Sequence, residues 1–211
     1  MLEKVRTKTT KPPAPEMVSY EADEIALGRV LIKVVGVGPL LTHNPQSMGV
    51  EVGPSKGSRI PAAEDEAEAG CYRMEDGSCA LKGEAFRAAI LGAASGWKAK
   101  NKRTMRSILS HIVVIEELVQ LLHPDGTPIK DYAIDRRRAI IQKSGIIRAR
   151  PRFDAWSAVF HIDYDPQLCE NPKLIVDVCA DGGRRMGVGD YRPAKNGWFG
   201  RYRVLEYAIV V

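Results

Sequence analysis

The stretch Asp154–Tyr164 constrains the fold of this chain more than any other. Apolar positions alternate along it with more polar ones: Trp156, Ala158, Phe160, Ile162 and Tyr164 on one face, and Ser157, Val159, His161 and Asp163 on the other. This period of two predicts a β-strand with one face in a core. The apolar face of a sheet built on such a strand must be covered by another layer, for example helices.

Two helices are predicted to provide that layer. The first spans Gly83–Ala94, where apolar residues recur at helical spacing: Phe86, Ala89, Ile90 and Ala93. The second begins after Asn171 and Pro172, which are typical residues at a helix start. We expect it to end at Gly182, because glycine commonly follows the last turn of a helix.

Three further stretches are predicted to be strands: Arg29–Val35, Ile108–Ile115 and Arg201–Val210. The order strand–helix–strand then occurs twice. That order predicts an α+β fold with a ferredoxin-like, RRM-like split βαβ core, in which two helices cover one face of an antiparallel sheet.

The rest of the chain is predicted to consist of an arm and insertions. Residues 1–22 are polar and rich in proline, so we expect a flexible N-terminal arm. Residues 23–211 then form a single domain with large insertions at 39–80 and 118–152. Within the first insertion we expect a short helix near Ala62–Ala69 and a hairpin turn at Asp76–Gly77.

Composition limits the classes of function. No apolar run approaches the roughly 20 residues of a membrane helix, so we expect a soluble, cytoplasmic protein without a membrane partner. The four cysteines form no Cys-x-x-Cys pair, and none has a histidine at zinc-finger spacing. We therefore expect reduced thiols, no bound metal and no cofactor.

Positive charge is concentrated in parts of the chain. The net charge of +5 is modest, but Lys98–Arg152 holds 13 Lys/Arg against 5 Asp/Glu. The segment Gly182–Val204 adds six glycines and six cationic residues, with Tyr191, Trp198, Phe199 and Tyr202 between them. Cations and aromatic rings together are typical of a site for single-stranded nucleic acid. The alternative is a glycine-rich loop whose aromatic residues lie in the core.

The predicted phosphate-binding residues lie in these basic segments. They are Lys98, Lys100, Lys102, Arg103, Arg136, Arg137, Arg138, Arg148, Arg150, Arg152, Gly183, Arg184, Arg185, Gly187, Gly189, Arg192, Arg201 and Arg203. Arginine donates in a fork that matches a phosphate, and glycine allows a backbone to approach a ligand closely. We expect any side chain at Gly187 or Gly189 to weaken binding more than stability.

Four features resemble the RAMP superfamily (repeat-associated mysterious proteins), which includes backbone subunits of CRISPR effector complexes. The first strand runs into Gly36-Val37-Gly38-Pro39-Leu40-Leu41, and Leu81–Ala89 is similar to the start of the family's first helix. The basic 118–152 insertion occupies the place of a thumb-like hairpin. Gly182–Arg203 is similar to the family's glycine-rich loop. On these features the chain resembles a divergent member.

The resemblance implies binding of single-stranded RNA through its backbone. It also implies a homo-oligomer along the RNA or a subunit of a ribonucleoprotein. No catalytic residue is expected under this hypothesis. Some relatives are metal-independent endoribonucleases with a histidine near the place of His43, which makes His43 the alternative catalytic residue. His43 as an ordinary loop histidine, and a protein–protein assembly module with a basic interface, are the other interpretations.

Overall fold

The computed structural model describes residues 19, 26–45, 62–98, 104–141 and 144–210. The described residues form ten strands and four helices: β1 (Gly28–Gly36), β2 (Leu40–Leu41), α1 (Ala63–Ala69), β3 (Tyr72–Arg73), β4 (Cys79–Lys82), α2 (Gly83–Ala94), α3 (Met105–Ile108), β5 (Val113–Val114), β6 (Leu118–Leu122), β7 (Ala133–Ile141), β8 (Ser144–Phe153), β9 (Ser157–Tyr164), α4 (Lys173–Arg185) and β10 (Tyr202–Val210). No helix among these residues is both long and apolar enough to cross a membrane.

The central sheet has the strand order β10-β1-β9-β6-β4-β3, with β5 also paired to β9. All of its neighbouring strands are antiparallel. β5 and β6 act as one interrupted strand, so the chain contains the units β1-α2-β5/β6 and β9-α4-β10. The order of their four strands is that of a ferredoxin-like fold. The predicted α+β class and ferredoxin-like core are confirmed.

The core lies between this sheet and helices α2 and α4. Register places Val30, Ile32 and Val34 of β1 opposite Ile162, Phe160 and Ala158 of β9, and all six are fully buried. Phe86 of α2 stacks on Phe160 with ring centroids 4.4 Å apart. The alternation that predicted β9 therefore marks the face on which the helices pack.

The predicted strand Ile108–Ile115 is wrong for most of its length. Residues 105–111 form α3 and a 3-10 turn, and only Val113–Val114 pair as a strand. Leu109 and Ile112 are fully buried in the core from these turns. The apolar run therefore reflects burial rather than an extended backbone.

The predicted end of α4 at Gly182 is also wrong, because the helix continues to Arg185. Gly182 and Gly183 pack at close range instead of ending the helix. A Cβ at Gly182 would lie 2.9 Å from the Ala89 carbonyl oxygen of α2, and one at Gly183 would lie 2.3 Å from the Tyr202 carbonyl oxygen of β10. Both glycines bring α4 close to its neighbours.

A second, three-stranded sheet has the order β2-β8-β7. Its long strands β7 and β8 form the basic hairpin, the name used below for these two strands. β6, at the start of the predicted 118–152 insertion, belongs instead to the central sheet through its pairing with β4 and β9. The hairpin therefore occupies only the later part of that insertion.

Candidate nucleic-acid interface

The basic hairpin has two faces with different charge environments. Register places Arg137 opposite Arg148 and Asp135 opposite Arg150, so these four side chains share one face. Arg136 and Arg138 alternate with them and lie on the other face. The run of three arginines is thus divided between the two faces.

The first face meets the glycine loop, defined here as residues 186–201. Arg150 Nε lies 2.7 Å from the Oδ2 of Asp190 in this loop. The Arg137 guanidinium lies 4.7 Å from the ring centroid of Phe199 and 5.9 Å from that of Trp198. An ion pair and cation–π contacts therefore join the hairpin to the loop.

Helix α1 packs on the part of the β8 edge that the two-residue strand β2 does not pair. The Glu66 carboxylate accepts a hydrogen bond from the backbone N–H of Ala149 at 3.0 Å and one from Arg148 at 2.9 Å. Only 8% of the Glu66 side chain is exposed. This contact satisfies an edge N–H that β2 is too short to reach, and it fixes α1 against the hairpin.

The structure separates the predicted cations by their partners. Arginines with an acidic partner are Arg137, Arg148, Arg150, Arg152, Arg184 and Arg185. Within the described ranges, those without an acidic partner are Lys98, Arg136, Arg138, Arg192, Arg201 and Arg203. Lys100, Lys102 and Arg103 lie outside the described residues. No described carboxylate offsets the charge of the second group.

Arg184 and Arg185 are placed away from the hairpin contacts, at the end of α4. Both pair with Asp181, which also accepts a hydrogen bond from Trp97 Nε1 at 2.9 Å. Burial raises the pKa of Asp181, but the hydrogen bonds from Trp97, Arg185 and Arg184 outweigh it and lower the pKa to about 2. Arg185 also donates to the Ala93 carbonyl at 3.1 Å. These contacts tie the end of α4 to the end of α2.

The glycines of the loop have an internal packing role. Gly187 and Gly189 have φ of +66° and +73°, a region that favours glycine. A Cβ at Gly189 would lie 2.3 Å from the Leu41 carbonyl oxygen, and one at Gly187 would lie 2.8 Å from Pro193 Cδ. Packing thus accounts for both glycines without a ligand.

His43 lines a cleft of about 230 Å³ beside the same loop. The other walls include Tyr72, Lys82, Gly189 and Arg192. Burial lowers the pKa of His43; Asp190 opposes this shift, and Arg150 and Arg148 reinforce it. A neutral imidazole next to cations is able to accept a proton.

His161, on strand β9, has a different role. His161 Nδ1 lies 2.6 Å from the Glu116 carboxylate, which also accepts a hydrogen bond from the His161 backbone N–H at 2.9 Å. Glu116 lies between β5 and β6, so it holds β9 where the neighbouring strand is interrupted.

The sequence analysis did not identify the acidic residues that pair with the arginines of this interface. It also did not distinguish the exposed aromatic rings from the buried ones. Asp135, Asp190 and Glu66 each neutralise an arginine. Trp198 and Tyr191 are 65% and 45% exposed, respectively. Aromatic residues among glycines and cations were the available signal, but the sequence could not separate exposed rings from Phe199 and Tyr202, which are buried.

No protein-family model and no curated sequence matches this chain. A solved structure to which it is similar is a chain in the cryo-EM structure of the type III-B Cmr-beta complex bound to cognate target RNA. The two chains are 10% identical with a TM-score of 0.49. The match covers 87% of this chain and 61% of the other, so this chain spans less than two thirds of the other's length.

Proposed function

We propose that this protein binds single-stranded RNA, mainly through the RNA backbone, on the surface formed by the basic hairpin and the glycine loop. The observation that carries the proposal is the contact between these segments through Arg150–Asp190 and Arg137–Phe199. Residues 133–153 and 186–201 together hold 10 Lys/Arg against 2 Asp. Such an excess in one place attracts a polyanion.

Single-stranded RNA fits this surface better than a duplex or an acidic protein. Exposed aromatic rings next to cations suit unpaired bases and their phosphates, whereas bases in a duplex are already stacked. The likeness of the glycine loop and the hairpin to those of RAMP proteins favours RNA over DNA. Phosphate contacts carry little sequence information, so we expect weak sequence preference.

Fluorescence anisotropy with a labelled single-stranded RNA across a salt series tests this function. Five described cations of these two segments lack an acidic partner: Arg136, Arg138, Arg192, Lys195 and Arg201. Each phosphate contact contributes about 0.7 to the slope of log affinity against log salt, so we expect a slope of up to about −3.5. Absent binding at low salt, or affinity that does not change with salt, would overturn the proposal and favour the assembly module with an acidic protein partner.

We further propose that the protein forms a homo-oligomer through β10. Among the described residues β10 pairs only with β1, so its other edge is open. Leu205, Tyr207 and Ile209 on this strand are 43–46% exposed. Arg203 and Glu206 share one face of the sheet, so an antiparallel second copy brings opposite charges together. The occupant of the edge in this proposal is another copy of this chain.

A second candidate function is metal-independent RNA cleavage at the His43 cleft. A neutral His43 would take the proton of a 2′-hydroxyl, whose oxygen attacks the adjacent phosphorus and displaces the 5′-oxygen of the next nucleotide. The 5′-oxygen leaves with a proton from the imidazolium or from water, and Lys82 and Arg192 would stabilise charge on the phosphate. Incubation of RNA in chelator tests this function. Products with 2′,3′-cyclic phosphate ends that disappear in His43→Ala would support cleavage; intact RNA with both proteins supports binding alone.

A further inference from the structure

The glycine loop is shaped so that two aromatic rings face outward. Tyr191 has φ of +50°, which a non-glycine residue rarely adopts. A Cβ at Gly197 would lie 1.6 Å from the Tyr191 carbonyl oxygen, so the chain crosses itself here more closely than any other residue type permits. Phe199 is 2% exposed, whereas its neighbour Trp198 is 65% exposed. The loop buries one ring and presents the next to solvent.

The exposed indole is held by defined neighbours. Trp198 meets Phe199 edge-on, with ring centroids 5.9 Å apart and planes at 62°. The Arg137 guanidinium contacts both rings, and Asp135 fixes Arg137 through an ion pair of 2.7 Å. Tyr191 packs on Phe199 at 6.2 Å. These contacts limit the positions of the ring before any ligand arrives, which reduces the entropy cost of binding.

We propose that Trp198 is a stacking site for an unpaired nucleobase, with Tyr191 packed on the same Phe199 ring. This inference rests on the proposed function, because the base comes from the RNA that the hairpin binds. A base offers a flat π-face to the indole, and the Arg137 guanidinium, 5.9 Å from the centre of that ring, adds positive charge beside it. The rings are set among cations, which favours nucleic acid over an apolar protein segment.

Anisotropy with two labelled probes of equal length tests the proposal: a single-stranded RNA, and an abasic ribose-phosphate oligomer with the same phosphates. We expect the wild type to bind the RNA about tenfold more tightly than the abasic probe, since one stacked base contributes about 1–3 kcal/mol. In Trp198→Ala the affinity for the RNA should fall to that for the abasic probe, and the affinity for the abasic probe should not change. Trp97→Ala is the control: it removes an indole that donates a hydrogen bond to Asp181, and the tenfold ratio between the two probes should persist.

Each other result has a distinct meaning. Equal binding of both probes by the wild type would overturn the stacking site and leave the phosphate-binding function standing. No binding of either probe would overturn both. Equal loss of affinity for both probes in Trp198→Ala would make the ring a structural element. Loss of an oligomer, with the probe ratio unchanged, would assign Trp198 to a protein contact and overturn the proposal.

Discussion

Arg150 of the basic hairpin and Asp190 of the glycine loop form an ion pair, with 2.7 Å between Nε and Oδ2. Only 14% of the Arg150 side chain is exposed, so this charge is not well hydrated on its own. The residues are far apart in sequence, and their contact determines how the two basic segments meet. The same carboxylate raises the pKa of His43 against the effect of burial.

We predict opposite effects of Asp190→Asn on stability and binding. The free energy of unfolding should fall by about 1–3 kcal/mol, because Arg150 loses its charged partner in a poorly hydrated place. RNA affinity should rise, because a negative charge leaves the interface. Denaturant unfolding and anisotropy on the same preparations measure both.

The control for this pair is Asp154→Asn. Asp154 pairs with Arg152 at 2.7 Å, but its side chain is 63% exposed. Its loss should cost less than about 1 kcal/mol, as expected for a surface ion pair. Equal destabilisation by the two variants would contradict a special role for Asp190.

The second prediction separates cations with and without acidic partners. Arg136→Ala combined with Arg138→Ala should reduce the salt slope of RNA binding by about 1.4, because two phosphate contacts disappear. Arg184→Ala combined with Arg185→Ala should change the slope less and the thermal midpoint more, because Asp181 pairs with both. A salt series with both double variants, each checked by a melting curve, decides the assignment.

The sequence predicted those parts of the fold that local patterns encode. The alternation in β9, the spacing in α2 and the Asp76-Gly77 turn are all local, and each was confirmed. The end of α4 was predicted wrongly because Gly183 is required for close packing against Tyr202, a residue distant in the chain, and not for ending the helix. Glu66 of α1 pairs with Arg148 across 82 residues, and Asp190 of the glycine loop pairs with Arg150 of the hairpin. Such pairings depend on tertiary structure, which a single sequence does not contain.

The third prediction concerns Gly189. Gly189→Ala should lower the free energy of unfolding by more than about 2 kcal/mol, because positive φ and contact with the Leu41 carbonyl both oppose a Cβ. The matched control is Gly77→Ala, where φ is +79° and nothing lies within 4 Å of the added carbon. It should cost only about 1 kcal/mol. Similar melting curves for the two variants would contradict the close approach at Leu41.

The fourth prediction concerns pH. Because burial lowers the pKa of His43, the unfolded chain binds a proton at this residue more readily than the folded one. Above the ordinary pKa of about 6.5, His43 is neutral in both states and the free energy of unfolding keeps its full value. As pH falls below about 6.5, the unfolded chain takes up the proton first and the free energy of unfolding decreases. His43→Gln should reduce the fall in thermal midpoint between about pH 7.5 and pH 5. A larger fall in the variant would reverse the sign of this linkage.

The last prediction tests the open edge of β10. A strand with a free edge and exposed Leu205 and Ile209 should pair with a second copy, because pairing satisfies its backbone groups and buries these side chains. Sedimentation velocity of the wild type without RNA should show self-association that increases with concentration. Leu205→Lys combined with Ile209→Lys should give a monomer, because two lysines per copy repel each other along the paired edge.

Val37→Lys is the control, since Val37 is 64% exposed but lies outside β10. A wild type that stays monomeric, or an oligomer that survives the β10 variant and dissociates with Val37→Lys, would move the interface away from this edge.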